Sequence, residues 1–209
     1  MTTTAVTPIE SVTLEVTDPT AADNFYKTAF GLDDRLQVRA SDAPTDGFRG
    51  FTLSLIVAQP ADVTALIDAA LEAGATTLKP PAKSMWGVGG VVQAPDGTIW
   101  KVATSKKKTT GPASREVQDI VLLLGASDVR ATRRLYEDRG LRVGKGFAGS
   151  YVEFVTPPGA IKLGLYKHRA LAKDAGVSAD GSGSHRLVVT SHAGPFTDPD
   201  GFTWESPEG

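Results

Sequence analysis

Ala94-Pro95-Asp96-Gly97-Thr98-Ile99-Trp100-Lys101 and Asp198-Pro199-Asp200-Gly201-Phe202-Thr203-Trp204-Glu205 are two versions of one stretch. Each holds a Pro-Asp-Gly turn followed by a short alternating run, so each reads as a turn feeding a final strand. The segments that open the two halves also match. Val12-Thr13-Leu14-Glu15-Val16 precedes Asp18, a helical stretch with Phe25-Tyr26, and then Gly31-Leu32. Ile120-Val121-Leu122-Leu123-Leu124 precedes Asp128, Leu135-Tyr136 and Gly140-Leu141. This is a diverged internal duplication, and a repeat constrains the architecture before any single element does.

The ordered set of strand, Asp, Tyr-bearing helix, Gly-Leu and Pro-Asp-Gly turn, seen twice, resembles the vicinal oxygen chelate superfamily of glyoxalases, bleomycin-resistance proteins and dioxygenases. The resemblance spans Pro8 to Ser206. It implies an α+β fold of two βαβββ modules whose curled mixed sheets form a ligand cup. The expected organisation is an N-terminal module over residues 1–105, a linker over 106–114 and a C-terminal module over 115–209. The segment matching Asp62 to Trp86 has no counterpart in the second half, so the modules are expected to be unequal.

Local patterns support these elements. Val12, Leu14 and Val16 alternate with Ser11, Thr13 and Glu15, the period of a half-buried strand whose polar face would line the cup. Asp18 followed by Pro19 reads as a helix N-cap and first residue. Pro60 opens a second helix whose Val63, Leu66, Ile67 and Ala70 have helical spacing, ending near Gly74. A short helix is expected near Ala170 to Ala175. Gly144-Lys145-Gly146-Phe147-Ala148-Gly149 has the spacing of a dinucleotide fingerprint. However, the alternating run Tyr151 to Val155 follows it, not the helix that a pyrophosphate site needs, so it reads as a turn.

The 209 residues suffice for a sizeable core. A formal net charge of -2 and a pI near 5.9 provide no field for nucleic acid, and Lys106-Lys107-Lys108 reads as a solvated connector. The absence of cysteine excludes disulfides, thiolate metal sites and a Cys nucleophile. No apolar run is long enough to span a membrane, and Met1 to Val6 lacks leader-peptide features, so a cytoplasmic location is expected.

The resemblance also says where a divalent ion would sit. Metal-using members draw ligands from the first and last strands of their modules, which here map to Ser11, Lys101, Val121 (or Asp119, given a bulge) and Glu205. A lysine ammonium offers no lone pair and repels a cation. No metal and no other cofactor is therefore expected. His168 reads as exposed, and His185 and His192 are too far apart to form a strand-face ligand pair. The resemblance then implies a metal-independent cup for a small hydrophobic or aromatic ligand, as in the sequestering bleomycin-resistance branch. The candidate ligand residues are Ser11, Thr13, Phe51, Trp86, Lys101, Asp119, Val121, Tyr151 and Glu205. Trp86, beside Gly87, Gly89 and Gly90, fits either a flap or a simple turn. Lys101 and Glu205 have equal parity after their turns, and with the halves paired as the resemblance implies they are expected to meet in one cup. Two further readings stand beside the binder: a glyoxalase-, lyase- or dioxygenase-type enzyme, here reduced to Lys–Glu acid–base chemistry, and a degenerate interaction scaffold. A homodimer is compatible with all three. No nucleic-acid or membrane partner is expected.

Overall fold

The apolar face of the first strand, β1 (Ile9–Val16), is set by Val12, Leu14 and Val16, all buried. Asp18 then starts α1 (Pro19–Phe30) by accepting the Ala21 N–H at 3.0 Å, and Gly31 ends the helix at φ 61, a conformation costly for other residues. The first half continues through β2 (Leu36–Ala40), β3 (Thr45–Gly47), β4 (Phe51–Ile56), α2 (Pro60–Glu72), β5 (Thr76–Ser84), β6 (Gly87–Gln93) and β7 (Ile99–Thr104). Residues 105–118 carry no helix or strand. The second half comprises β8 (Asp119–Ala126), α3 (Val129–Asp138), β9 (Val143–Phe147), β10 (Tyr151–Phe154), β11 (Lys162–Lys167) and α4 (His168–Ala175). It ends with β12 (Gly181–Gly183), β13 (Leu187–Ser191), β14 (Phe196–Thr197) and β15 (Thr203–Glu205). The computed structural model describes residues 7–32, 34–147 and 149–207. Met1 to Val6, read above for a leader, and Ala148 of the glycine-rich turn lie outside them. Gly144 to Phe147 of that stretch lie in β9 and pair with β10 instead of forming a turn, and β10, not a helix, is the next element.

The strands form an eight-stranded sheet in the order β5-β6-β7-β4-β8-β11-β10-β9 and a five-stranded sheet in the order β14-β15-β13-β1-β2, while β3 pairs with β12. Both large sheets draw on both halves of the chain. Their seams are the antiparallel pairs β4–β8 and β1–β13. Within each half the first and last strands of a unit lie parallel: β1–β2, β4–β7, β8–β11 and β13–β15. Each half of the chain thus combines two βαβββ-type units. The second and third units are complete. The first is shortened, and the fourth runs from β13 to β14 without a helix, which is where the sequence lacks a match to Asp62–Trp86.

The repeated aromatics hold the helices to the sheets. Trp100 lies 5.4 Å from Tyr26 and 5.1 Å from Phe30, and Trp204 lies 5.0 Å from Tyr136. Each helix tyrosine also ties down a turn: the Tyr26 hydroxyl donates to Asp96 at 2.8 Å, and the Tyr136 hydroxyl donates to Asp198 at 2.6 Å.

Candidate functional site

Strand register assembles the cup of the eight-stranded sheet. Ser54 of β4 lies opposite Lys101 of β7 on one side and Val121 of β8 on the other, and Val121 lies opposite Lys162 of β11. Residues opposite one another share a face, so these four side chains form one row. The neighbouring positions Leu53, Leu55 and Leu122 point the other way, into the main core beside α2. The row is therefore the floor of the concave face. In the five-stranded sheet the corresponding row is Ser11, Thr190 and Glu205.

Each of the two lysines, both partly exposed, faces a carboxylate. The Lys101 ammonium lies 2.8 Å from Asp174, and the Lys162 ammonium lies 2.7 Å from Asp119. Asp174 comes from α4, which occupies the middle of this cup. Leu171, Ala172 and Ala175 of α4 are buried in a cluster with Phe48, Val91 and Ile99, against which Leu123 and Tyr166 pack. Gly125 makes the approach possible, because a β carbon there would fall 2.8 Å from the Gly50 carbonyl oxygen and 3.1 Å from the His168 Cα. At the other end, the Lys79 ammonium donates to the Lys173 and Asp174 carbonyls at 2.8 and 2.6 Å, satisfying free carbonyls of the last turn. What remains open is a groove of about 340 Å³ between α4 and β5–β7, with Lys101 and Trp86 among its lining.

The structure thus divides the residues expected in one site. Lys101, Asp119 and Val121 share the concave face of the eight-stranded sheet. Trp86 sits 81 % exposed in the turn between β5 and β6, at the groove. Tyr151 packs edge-on to Tyr166 at 5.8 Å, and burial first, then Glu153, push its phenol up to about 12. Phe51 is a core residue, 2 % exposed and on the opposite face of β4. Ser11, Thr13 and Glu205 belong to the other sheet.

Lys101 and Glu205 do not meet. Their strands, β7 and β15, pair with β4 and β13 of their own halves, and those strands join opposite sheets. Glu205 instead faces Arg39 at 3.3 Å, and Arg39 also holds Glu15 at 2.8 Å. His168, expected to be exposed, is half-buried, with Nε2 2.9 Å from the Ala179 carbonyl oxygen and its ring 5.2 Å from Phe48. His185 stacks on Phe202 at 4.0 Å between the Arg49 and Asp200 carbonyls, while exposed His192 pairs with Glu10 at 3.0 Å.

A divalent ion does not fit these residues. The row in the larger cup offers two ammonium groups, a valine and a serine, and the carboxylates of Asp174 and Asp119 are engaged by the lysines. Glu205 in the smaller sheet faces a guanidinium. Among the described residues no group of three or more His, Cys, Asp or Glu is placed to hold a metal.

Sequence reasoning did not find a cavity of about 660 Å³ that lies beside α1 and is lined by Arg49 and Arg186 among others. The available signal was two isolated arginines next to turn residues, Arg49-Gly50 and His185-Arg186, and nothing local relates one to the other.

No protein-family model matches the chain, and no curated protein matches it. Solved structures do match. A glyoxalase I variant from Zea mays aligns over 96 % of this chain and 93 % of its own, at 14 % identity and a TM-score of 0.61. Glyoxalase I from the same plant aligns over 88 % of this chain and 74 % of its own, at 14 % identity and a TM-score of 0.57. A candidate dioxygenase from Bacillus subtilis aligns over 89 % and 71 %, at 12 % identity and a TM-score of 0.55.

Proposed function

From a chain that has the fold of the vicinal oxygen chelate superfamily, we propose a metal-independent protein that binds a small, largely apolar or aromatic molecule. The observation that carries this reading is the row Lys101, Ser54, Val121 and Lys162, which puts two ammonium groups on the cup floor, one of them, Lys101, at a position where the resemblance implies an ion ligand. With α4 filling that cup, the larger seat is the cavity of about 660 Å³ beside α1. Its size lies within the range of roughly 300–1,000 Å³ usual for small-molecule sites. Melting curves of the chelator-treated protein against a panel of aromatic compounds test this reading. At least one compound is expected to raise the melting temperature in a saturable way, with or without chelator. A ligand response that needs added metal would contradict it.

The self-filled cup also favours a second reading, an interaction scaffold that has lost its ligand. That reading expects no saturable stabilisation by any compound. An acid–base enzyme has less support, because Lys101 faces Asp174 and not Glu205.

A further inference from the structure

Charge is unevenly distributed along the chain. Residues 73–115 hold seven Lys or Arg against the single acid Asp96, whereas the whole chain holds 22 basic and 24 acidic residues. This segment builds β5, β6, β7 and the connector that follows, so the positive excess belongs to one edge of the eight-stranded sheet. Asp96 sits between β6 and β7, at the end of β6 remote from the β5–β6 turn.

That β5–β6 turn carries the two most exposed large apolar side chains among the described residues, Met85 at 76 % and Trp86 at 81 %. Ser84 shapes the turn: its hydroxyl accepts the Trp86 N–H at 3.1 Å and donates to the Gly87 carbonyl oxygen at 3.3 Å. The connector leaves β7 against the same turn, since a β carbon on Gly87 would fall 2.8 Å from the Ser105 Cα. Lys106, Lys107 and Lys108 follow directly, Lys83 precedes the turn, and all four are exposed. Among the described residues none of these four ammonium groups has a hydrogen-bond or ion-pair partner. An apolar pair thus sits beside a cluster of uncompensated positive charge.

We propose that the β5–β6 turn attaches the protein to an anionic lipid surface, with Met85 and Trp86 entering the interface and Lys83 and Lys106 to Lys108 at the level of the headgroups. The chain shows no spanning segment, but attachment to a surface needs none. Tryptophan favours the boundary between hydrocarbon and water, and clustered lysines are attracted to acidic headgroups. Other partners fit less well. A protein interface takes roughly 800 Å² from each side, more than two side chains on a turn supply. A further strand is unsuited to the β5 edge, where Pro80 and Pro81 lack an N–H. A single-stranded nucleic acid needs a charged groove that follows its backbone, and in the groove beside this turn Lys79 and Lys101 are already engaged by α4. The attachment is independent of the small-molecule reading above.

The test mixes the full-length protein with vesicles of phosphatidylcholine alone or with about one third phosphatidylserine, and reads co-sedimentation and tryptophan emission. Trp100 and Trp204 are buried, so an emission shift reports Trp86. Mixed vesicles at ~1 mM lipid should sediment the protein and move its emission to shorter wavelength, and about 0.5 M salt should release it. Phosphatidylcholine alone should bind at least ~10-fold more weakly. Trp86→Ala should abolish the shift and weaken sedimentation by ~3-fold or more. Lys106→Gln, Lys107→Gln and Lys108→Gln together should weaken it by ~10-fold or more. These positions are exposed, so the melting temperature of both variants should match the wild type. No sedimentation with mixed vesicles, equal binding to both vesicle types, or unchanged affinity in either variant would overturn the proposal. So would tighter binding of a single-stranded oligonucleotide than of mixed vesicles, which would give the patch to nucleic acid.

Discussion

Tyr26 and Tyr136 occupy matching helix positions, and each anchors its helix through a hydroxyl donated to a Pro-Asp-Gly turn. Burial first, and then the neighbouring carboxylates, hold both phenols well above the ordinary value of 10.0. The unfolded chain releases these protons near pH 10 while the folded chain retains them, so stability must fall as pH rises above 10. An absorbance titration should show Tyr26 and Tyr136 ionising only as the protein unfolds. Their ionisation near pH 10 in the folded protein would contradict the account. Asp198 follows the same sign. Its folded carboxyl is raised above 3.8, mainly by burial, so its contribution is fully present below that pH and is lost as pH rises through the raised value. The stability of the wild type relative to Asp198→Asn should accordingly decline as pH rises from 3.8. Lys101 shows what the residue scale reveals and conceals. Its parity was legible in the sequence, because four positions after a turn fixes a strand face. Its partner was not, because repeat symmetry relates Lys101 to Glu205 without saying which sheet each strand joins. A double-mutant cycle of Lys101→Met with Asp174→Asn should give a coupling below about 1 kcal/mol, as for a partly exposed pair, and the cycle with Glu205→Gln should give none.

Among the elements, α4 changes the reading of the molecule most. A short helix was legible near Ala170 to Ala175, within the eight residues of α4, and the spacing of Leu171, Ala172 and Ala175 gives it one apolar face. Nothing in that spacing says that the face fills the cup, since the packing partners Val91, Ile99 and Leu123 are distant in sequence and alternate as in any strand. Because this cluster is separate from the main core, α4 should open without global unfolding. Hydrogen exchange should find its amides less protected than those of α2. Leu171→Ala removes a fully buried side chain and should cost about 2–5 kcal/mol if α4 unfolds with the rest, but less if the helix opens alone. Gly125→Ala tests the close approach directly. Its methyl would collide with backbone at Gly50 and His168, so exchange in α4 should rise while α2 stays protected. Unaltered α4 protection in this variant would mean that the helix does not rest on that glycine.

At the scale of the whole molecule, the α+β character was legible because turn residues and strand periods recur in order along the chain. The interleaving of the halves was not, because pairing across β1–β13 and β4–β8 is long-range and leaves no local mark. It has a consequence for the expected boundaries. Expressed alone, residues 1–105 should expose the edges and apolar faces of β1 and β4 and fail to fold, and co-expression with residues 106–209 should restore a folded complex. No helix among the described residues is long and apolar enough to cross a membrane. The central claim, a glyoxalase fold that works without metal, is tested most directly by the melting temperature of chelator-treated protein titrated with Zn, Ni, Mn and Mg ions. A native-state site at 100-fold excess over its dissociation constant would add about 2.7 kcal/mol, several degrees for a chain of this size. The account predicts no saturable rise with any of the four ions. A rise of several degrees that saturates at one equivalent and is reversed by chelator would contradict it.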